Sequence, residues 1–267
     1  SSLIITCASS AGLNYIGKAC PITTTNSQHI YIIIRDRVLE DSAWSIELFK
    51  MVDSPMSTHF ENILGFNAQR PLKITSSSSS QTNDVSLEVK FSNIEFGPKA
   101  ICELAFANVY MDRLEINSLI NSYYKKNLLR FEEIERNSST NNLNATILIL
   151  VIQSFDSDLD RNLLNPRVFA EIKDLRIKKR LRSISVDVFR PFFKLRLIEF
   201  DSKEFVRIVH KQGIEWIKSL NAGVNIDLDN LTQIQENWDK MKALLFYDQK
   251  GVTLDPRFEF FTNEDFC

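Results

Sequence analysis

The sequence predicts an α+β fold with a β-rich N-terminal part, helices packed on it, two C-terminal amphipathic helices and an extended C-terminal arm. Three patterns carry this expectation. Apolar β-branched runs and period-two alternation dominate the first third. Two capped apolar stripes at helical spacing lie between residues 201 and 245. From residue 252 neither period fits, although Phe258, Phe260, Phe261 and Phe266 all fall there. Residues 1–251 are therefore expected as a single mixed domain, and 252–267 as an arm.

Each element has a local cause. Residues 3–6 and 29–35 are apolar, β-branched strand candidates. Residues 29–34 are apolar almost throughout, which predicts burial on both faces. A polar turn at 40–42 allows residues 43–51 to return as the second arm of a hairpin. The serine run 76–80 cannot bury apolar area and reads as a surface loop. Val85, Leu87, Val89 and Phe91 alternate as a half-buried strand. Pro98 suits the first turn of a helix carrying Ile101, Leu104 and Ala105. Residues 114–136 read as a longer helix, with Leu119, Tyr123, Leu128 and Phe131 near helical spacing. Residues 146–153 form a buried strand. Residues 167–182 are open between helix and strand. Ile184, Val186 and Val188 alternate as a strand, and so do Phe193, Leu195 and Leu197, with Arg190-Pro191 as the turn between them. Asp201 caps a helix striped by Phe205, Ile208, Val209, Trp216 and Leu220, which Gly223 ends. Asp229 or Asn230 starts a second helix carrying Leu231, Ile234, Trp238, Met241 and Leu245.

Composition excludes more than it assigns. The chain has 267 residues, 44% hydrophobic and 25% charged, enough for a sizeable core. With only 7 glycines it has little material for glycine-rich phosphate loops, and no such motif occurs. Cys7, Cys20, Cys102 and Cys267 form neither a disulfide framework nor a zinc pattern, so reduced thiols are expected. His29, His59 and His210 stand apart from one another. Asp156, Asp158 and Asp160 have the start of a calcium-loop spacing, but Arg161 replaces the required glycine and Arg167 the final glutamate. No catalytic residue, metal or cofactor is expected, and the chain reads as a non-enzyme. No apolar run is long enough to span a bilayer, and no basic-then-apolar leader is seen. A cytoplasmic protein without a membrane partner is the expectation.

Charge is the informative feature. The formal net charge of −2 averages two opposite regions. Residues 173–196 hold nine cations against Asp174 and Asp187. Phe189, Phe192 and Phe193 lie among them. Cations track a phosphate backbone and aromatic rings stack on unpaired bases, so single-stranded RNA is the expected partner. Its candidate contacts are Lys178, Lys179, Arg180, Arg182, Arg190, Lys194 and Arg196. Residues 225–267 hold nine acids against four bases, so copies could attract each other head to tail.

An aromatic, acidic terminal segment (Leu254-Asp255-Pro256-Arg257-Phe258-Glu259-Phe260-Phe261, then Asp265-Phe266-Cys267), a basic stretch and a glycine-poor body together resemble the viroplasm matrix proteins of the fijiviruses, plant reoviruses. The resemblance implies a helix-rich mixed fold and a non-structural viral protein of cytoplasmic inclusion bodies. It further implies dimers joined into larger homo-oligomers by a C-terminal arm, and single-stranded RNA binding. It brings no catalytic residues. Carried onto this chain, it makes Phe258, Phe260, Phe261 and Phe266 the oligomerisation anchors, and Lys178, Lys179, Arg180 and Arg182 the first RNA contacts. The rival expectation is a cellular scaffold or adaptor subunit whose apolar stripes meet a different protein.

Overall fold

A computed structural model describes residues 2–7, 29–38, 46–48, 56–64, 74–76, 87–96, 103–106, 109–121, 145–153, 157–178, 181–213, 215–228 and 253–254. The strands are β1 (Ser2–Cys7), β2 (His29–Val38), β3 (Ile46–Leu48), β4 (Met56–Leu64), β5 (Ile74–Ser76), β6 (Leu87–Phe96) and β7 (Tyr110–Asn121). They continue with β8 (Thr146–Ile152), β9 (Ser157–Leu159), β10 (Asp174–Ile177), β11 (Leu181–Ile184), β12 (Leu197–Phe200), β13 (Asn225–Leu228) and β14 (Thr253–Leu254).

Ten strands form one sheet in the order β1-β2-β4-β6-β7-β8-β10-β12-β13-β14, and every neighbouring pair is parallel. The order follows the chain without a reversal. Each crossover therefore lays the next strand beside the last, which is the topology of a repeat solenoid. Register partners are 23 to 36 residues apart, from Asp174↔Leu197 to Tyr110↔Thr146. Two small parallel pairs, β3·β5 and β9·β11, lie in the crossovers.

A recurring side-chain pattern explains the stacking. Met111-x-x-Leu114-x-Ile116, Ile147-x-x-Leu150-x-Ile152, Ile172-x-x-Leu175-x-Ile177 and Leu195-x-x-Ile198-x-Phe200 each place three buried apolar groups behind the sheet. This L-x-x-L-x-L spacing is that of leucine-rich repeats, in which one strand per repeat lines a continuous face. No repeat can bury its apolar side alone, so stacking neighbours builds the core. The second wall among the described residues is thin: helices α1 (Pro166–Phe169) and α2 (Ser202–Gln212), and the 3-10 turns Glu103–Phe106 and Glu215–Ser219. At its centre Phe189, Phe200 and Phe205 surround Trp216 with ring centroids 5.7 to 6.2 Å from it, and all four are fully buried.

This architecture overturns the expected α+β class. Strands run through the whole described chain rather than its N-terminal part, and few helices accompany them. The helix-rich fold implied by the viral resemblance goes with it. The first part of the helix expected at 114–136 is strand β7, whose backbone pairs in parallel with β6 on one side and β8 on the other, so tertiary pairing overrides the helical spacing. Between Pro98 and β7 the element described is the short Glu103–Phe106 turn. Of the expected 43–51 hairpin arm the described residues are β3, which pairs parallel with β5 and not as a hairpin with β2; β5 ends on Ser76 of the serine run. Residues 167–182 divide between α1 and two strands. Ile184 ends its strand, and Val186 lies 59% exposed in the turn after it.

Asp201 does cap α2, its carboxylate accepting from the Lys203 and Glu204 amides at 3.0 and 3.2 Å. The helix stops earlier than its stripe suggests. Gly213, at φ +77°, donates its N–H to the Val209 carbonyl and ends it. Trp216 therefore falls in the 3-10 turn Glu215–Ser219, and Leu220 lies just past that turn. The second expected helix lies outside the described residues, as does the arm apart from Thr253–Leu254, which pairs with Asn225–Ile226.

Candidate interaction surfaces

Side chains alternate across a strand, so the residues between the buried positions share the outer face of the sheet. Two rows cross it by register. One runs Ser57, Glu88, Arg113, Ile149, Asp174, Leu197, Asn225. The next runs His59, Lys90, Glu115, Val151, Arg176, Glu199, Asp227. Most of these residues are half-exposed, and neighbours in a row stand about 4.8 Å apart.

The rows carry both signs of charge, paired across strands. Glu115 takes Lys90 Nζ at 2.7 Å, an Arg113 nitrogen at 3.0 Å and Gln153 Nε2 at 2.9 Å. Burial pushes its carboxyl up, but hydrogen bonds from Lys90 and Arg113 outweigh this and hold it below the usual carboxylate range. On the other side of β8, Glu199 pairs with Lys178 and lies 3.4 Å from Arg176 Nε. That Arg176 contact is an ion pair without hydrogen-bond alignment. Between the two clusters β8 presents the half-buried Ile149, while Val151 in the next row is only 1% exposed. The face therefore carries two ion clusters on either side of strand β8.

A histidine and a serine also meet on this face: His59 Nε2 and Ser92 Oγ are 2.8 Å apart. Both sit within strands, where backbone amides point sideways into the ladder and not up at a substrate. Neither residue's own amide is then aimed at an oxyanion, and the contact ties β4 to β6.

The structure separates the predicted RNA contacts. Lys178 lies on the sheet face against Glu199. Arg182 is on β11 in the second small sheet, 3.2 Å from Asp158. Lys194 pairs with Glu171. Lys179 and Arg180 lie outside the described residues, as do Phe258, Phe260, Phe261 and Phe266. Phe189 and Phe192 are core residues, 0% and 1% exposed. Asp158 and Asp160, which resemble a calcium loop in spacing, are engaged locally: Asp158 also accepts from the Ser183 hydroxyl, and Asp160 from the Asn162 and Leu163 amides.

The rest of the basic stretch gathers at the rim where the strands begin. Lys173 and Arg196 immediately precede β10 and β12, and the Arg196 amide donates to the Lys173 carbonyl at 2.8 Å. Arg190 and Phe193 lie in the turn leading to β12. Lys173, Arg190 and Arg196 are exposed, and none has an ion-pair partner among the described residues. Phe193 is 78% exposed. Lys173 is absent from the contacts expected from sequence; its signal is its place one residue before a strand, level with Arg196.

Among the described residues no group of His, Cys, Asp or Glu is arranged to hold a metal, and no helix is long and apolar enough to cross a membrane. Compared with known protein families, curated proteins and solved structures, the chain matches none.

Proposed function

We propose that the chain is a non-enzymatic repeat scaffold that seats a partner protein on the outer face of its parallel sheet. The observation that carries this reading is the face itself: an uninterrupted run of parallel strands presenting paired charges of both signs around the half-buried Ile149 and Leu197. Solenoids use such extended faces for binding. A polyanion gains little here, because the acids of the two rows, Glu88, Glu115, Asp174, Glu199 and Asp227, outnumber the cations Lys90, Arg113, Arg176 and Lys178. A protein surface with its own mixed charges and an apolar anchor fits better.

Partner capture tests the reading. Full-length chain is used as bait beside an Ile149→Lys, Leu197→Lys double variant and an Arg190→Gln, Arg196→Gln double variant. A partner held by the parent and the rim variant and lost by the face variant supports the sheet face. A partner set unchanged in the face variant rejects it.

A second reading, single-stranded RNA binding, is favoured by one observation: the exposed Phe193 beside cations that lack acidic partners. It is confined to the rim. Self-association through residues 252–267 and a place in cytoplasmic inclusions belong with it as proposals. Light scattering of the parent and of a chain ending at residue 251 tests the first of these, and an unchanged mass rejects it.

A further inference from the structure

We propose that Phe193 is a base-stacking platform that makes the rim select single-stranded over duplex RNA, an inference that rests on the RNA reading. An isolated exposed apolar side chain needs no explanation by itself. Phe193 differs in its support and its surroundings. Phe189 and Phe192, its neighbours in the same turn, are wholly buried, and Pro191 restricts the backbone between them. The Phe192 carbonyl also accepts from the Leu195 amide at 3.3 Å and from Asn221 Nδ2 at 3.1 Å. The ring is thus carried on a fixed turn, already placed outside.

Lys194, the next residue, pairs with Glu171, but three cations near it along the chain or the rim have no acidic partner among the described residues. Arg190 is in the same turn, and Arg196 and Lys173 stand side by side along the rim. Every other described cation of the stretch has an acidic partner. Cations of this kind hold phosphates of any nucleic acid, whereas a ring gains only from a base whose π-face is open. In a duplex the bases are stacked on one another, so Phe193 adds nothing there. The two contributions are separable by substitution.

The experiment measures anisotropy of a labelled 20-nucleotide oligouridine and of an RNA duplex of the same length, titrated with full-length protein at several salt concentrations. The expected result is that Phe193→Ala weakens oligouridine binding about tenfold, leaves duplex binding and both salt slopes unchanged, and is rescued by Phe193→Trp. Arg190→Gln with Arg196→Gln should weaken both ligands and flatten the salt dependence. Unchanged oligouridine affinity in Phe193→Ala, with the arginine variant weakened, overturns the stacking role and leaves the RNA reading standing. No binding by the parent at low salt overturns both. Equal affinity for a polyglutamate peptide overturns the inference in favour of an acidic protein partner.

Discussion

Lys90 Nζ and Glu115 Oε1 lie 2.7 Å apart on adjacent strands, on the outer face of the sheet, although Glu115 is only 7% exposed. Charge is sunk into a surface that stays open to a partner. The same carboxylate also holds Arg113 and Gln153, so three strands are tied at one point.

This ion cluster makes stability depend on pH. The folded state holds the Glu115 carboxyl below its ordinary value of 4.5, so it releases its proton more readily folded than unfolded. The stabilisation is then fully present above that value and is lost as pH falls through the lower folded one. Glu115→Gln should cost about 1 kcal/mol at pH 7, since its partners are partly solvated. Denaturation midpoints of parent and variant should converge on acidification; a gap that stays constant down to pH 2 contradicts the assignment.

The aromatic centre predicts a contrast. Trp216 is wholly buried, and its Nε1–H finds no hydrogen-bond partner among the described residues. Trp216→Phe removes that unsatisfied donor along with volume and should cost only about 1–2 kcal/mol. Phe200→Ala opens a cavity beside the Phe205 and Trp216 rings and should cost about 3–5 kcal/mol. Urea denaturation of both variants checks the order, and a larger loss for Trp216→Phe contradicts it.

The ends of α2 are separately testable. Asp201→Ala removes the acceptor for two first-turn amides and should cost about 1 kcal/mol. At Gly213 an added Cβ meets nothing within 4 Å, so Gly213→Ala isolates backbone strain at φ +77°, ψ −161°. Only glycine takes that region easily, and the expected loss is about 1–3 kcal/mol. A neutral Gly213→Ala in thermal unfolding contradicts this end to the helix.

Ion pairing sorts the basic residues. Lys178→Ala removes a cation engaged with Glu199 and should leave low-salt RNA affinity within about twofold, whereas Arg190→Gln should reduce it several-fold. Filter binding on the full chain measures both. Equal losses contradict the separation of face from rim.

Some of this is legible in the sequence and some is not. Strand composition marks β2, β6 and β8, and Asp201-Ser202-Lys203-Glu204 marks the start of α2. The repeat itself is written in the chain, beginning at Met111, Ile147, Ile172 and Leu195. It escapes a search for pure periods because a three-residue step and then a two-residue step satisfy neither helix nor strand. Unequal offsets of 23 to 36 residues hide it further. For the site, charge density along the chain finds the basic stretch but cannot tell Lys178 from Arg196. That difference is made by Glu199, Asp158 and Glu171, brought in by strand register and crossovers. Phe192 and Phe193 are adjacent and chemically identical; only the turn decides that one is core and the other exposed.

The central claim, that the sheet face is the binding surface, is tested most directly by hydroxyl-radical footprinting of the full chain with and without its captured partner. Protection is predicted at Ile149 and Leu197, with Val186 in its exposed turn unchanged. Protection at Val186 with Ile149 and Leu197 left reactive would contradict it.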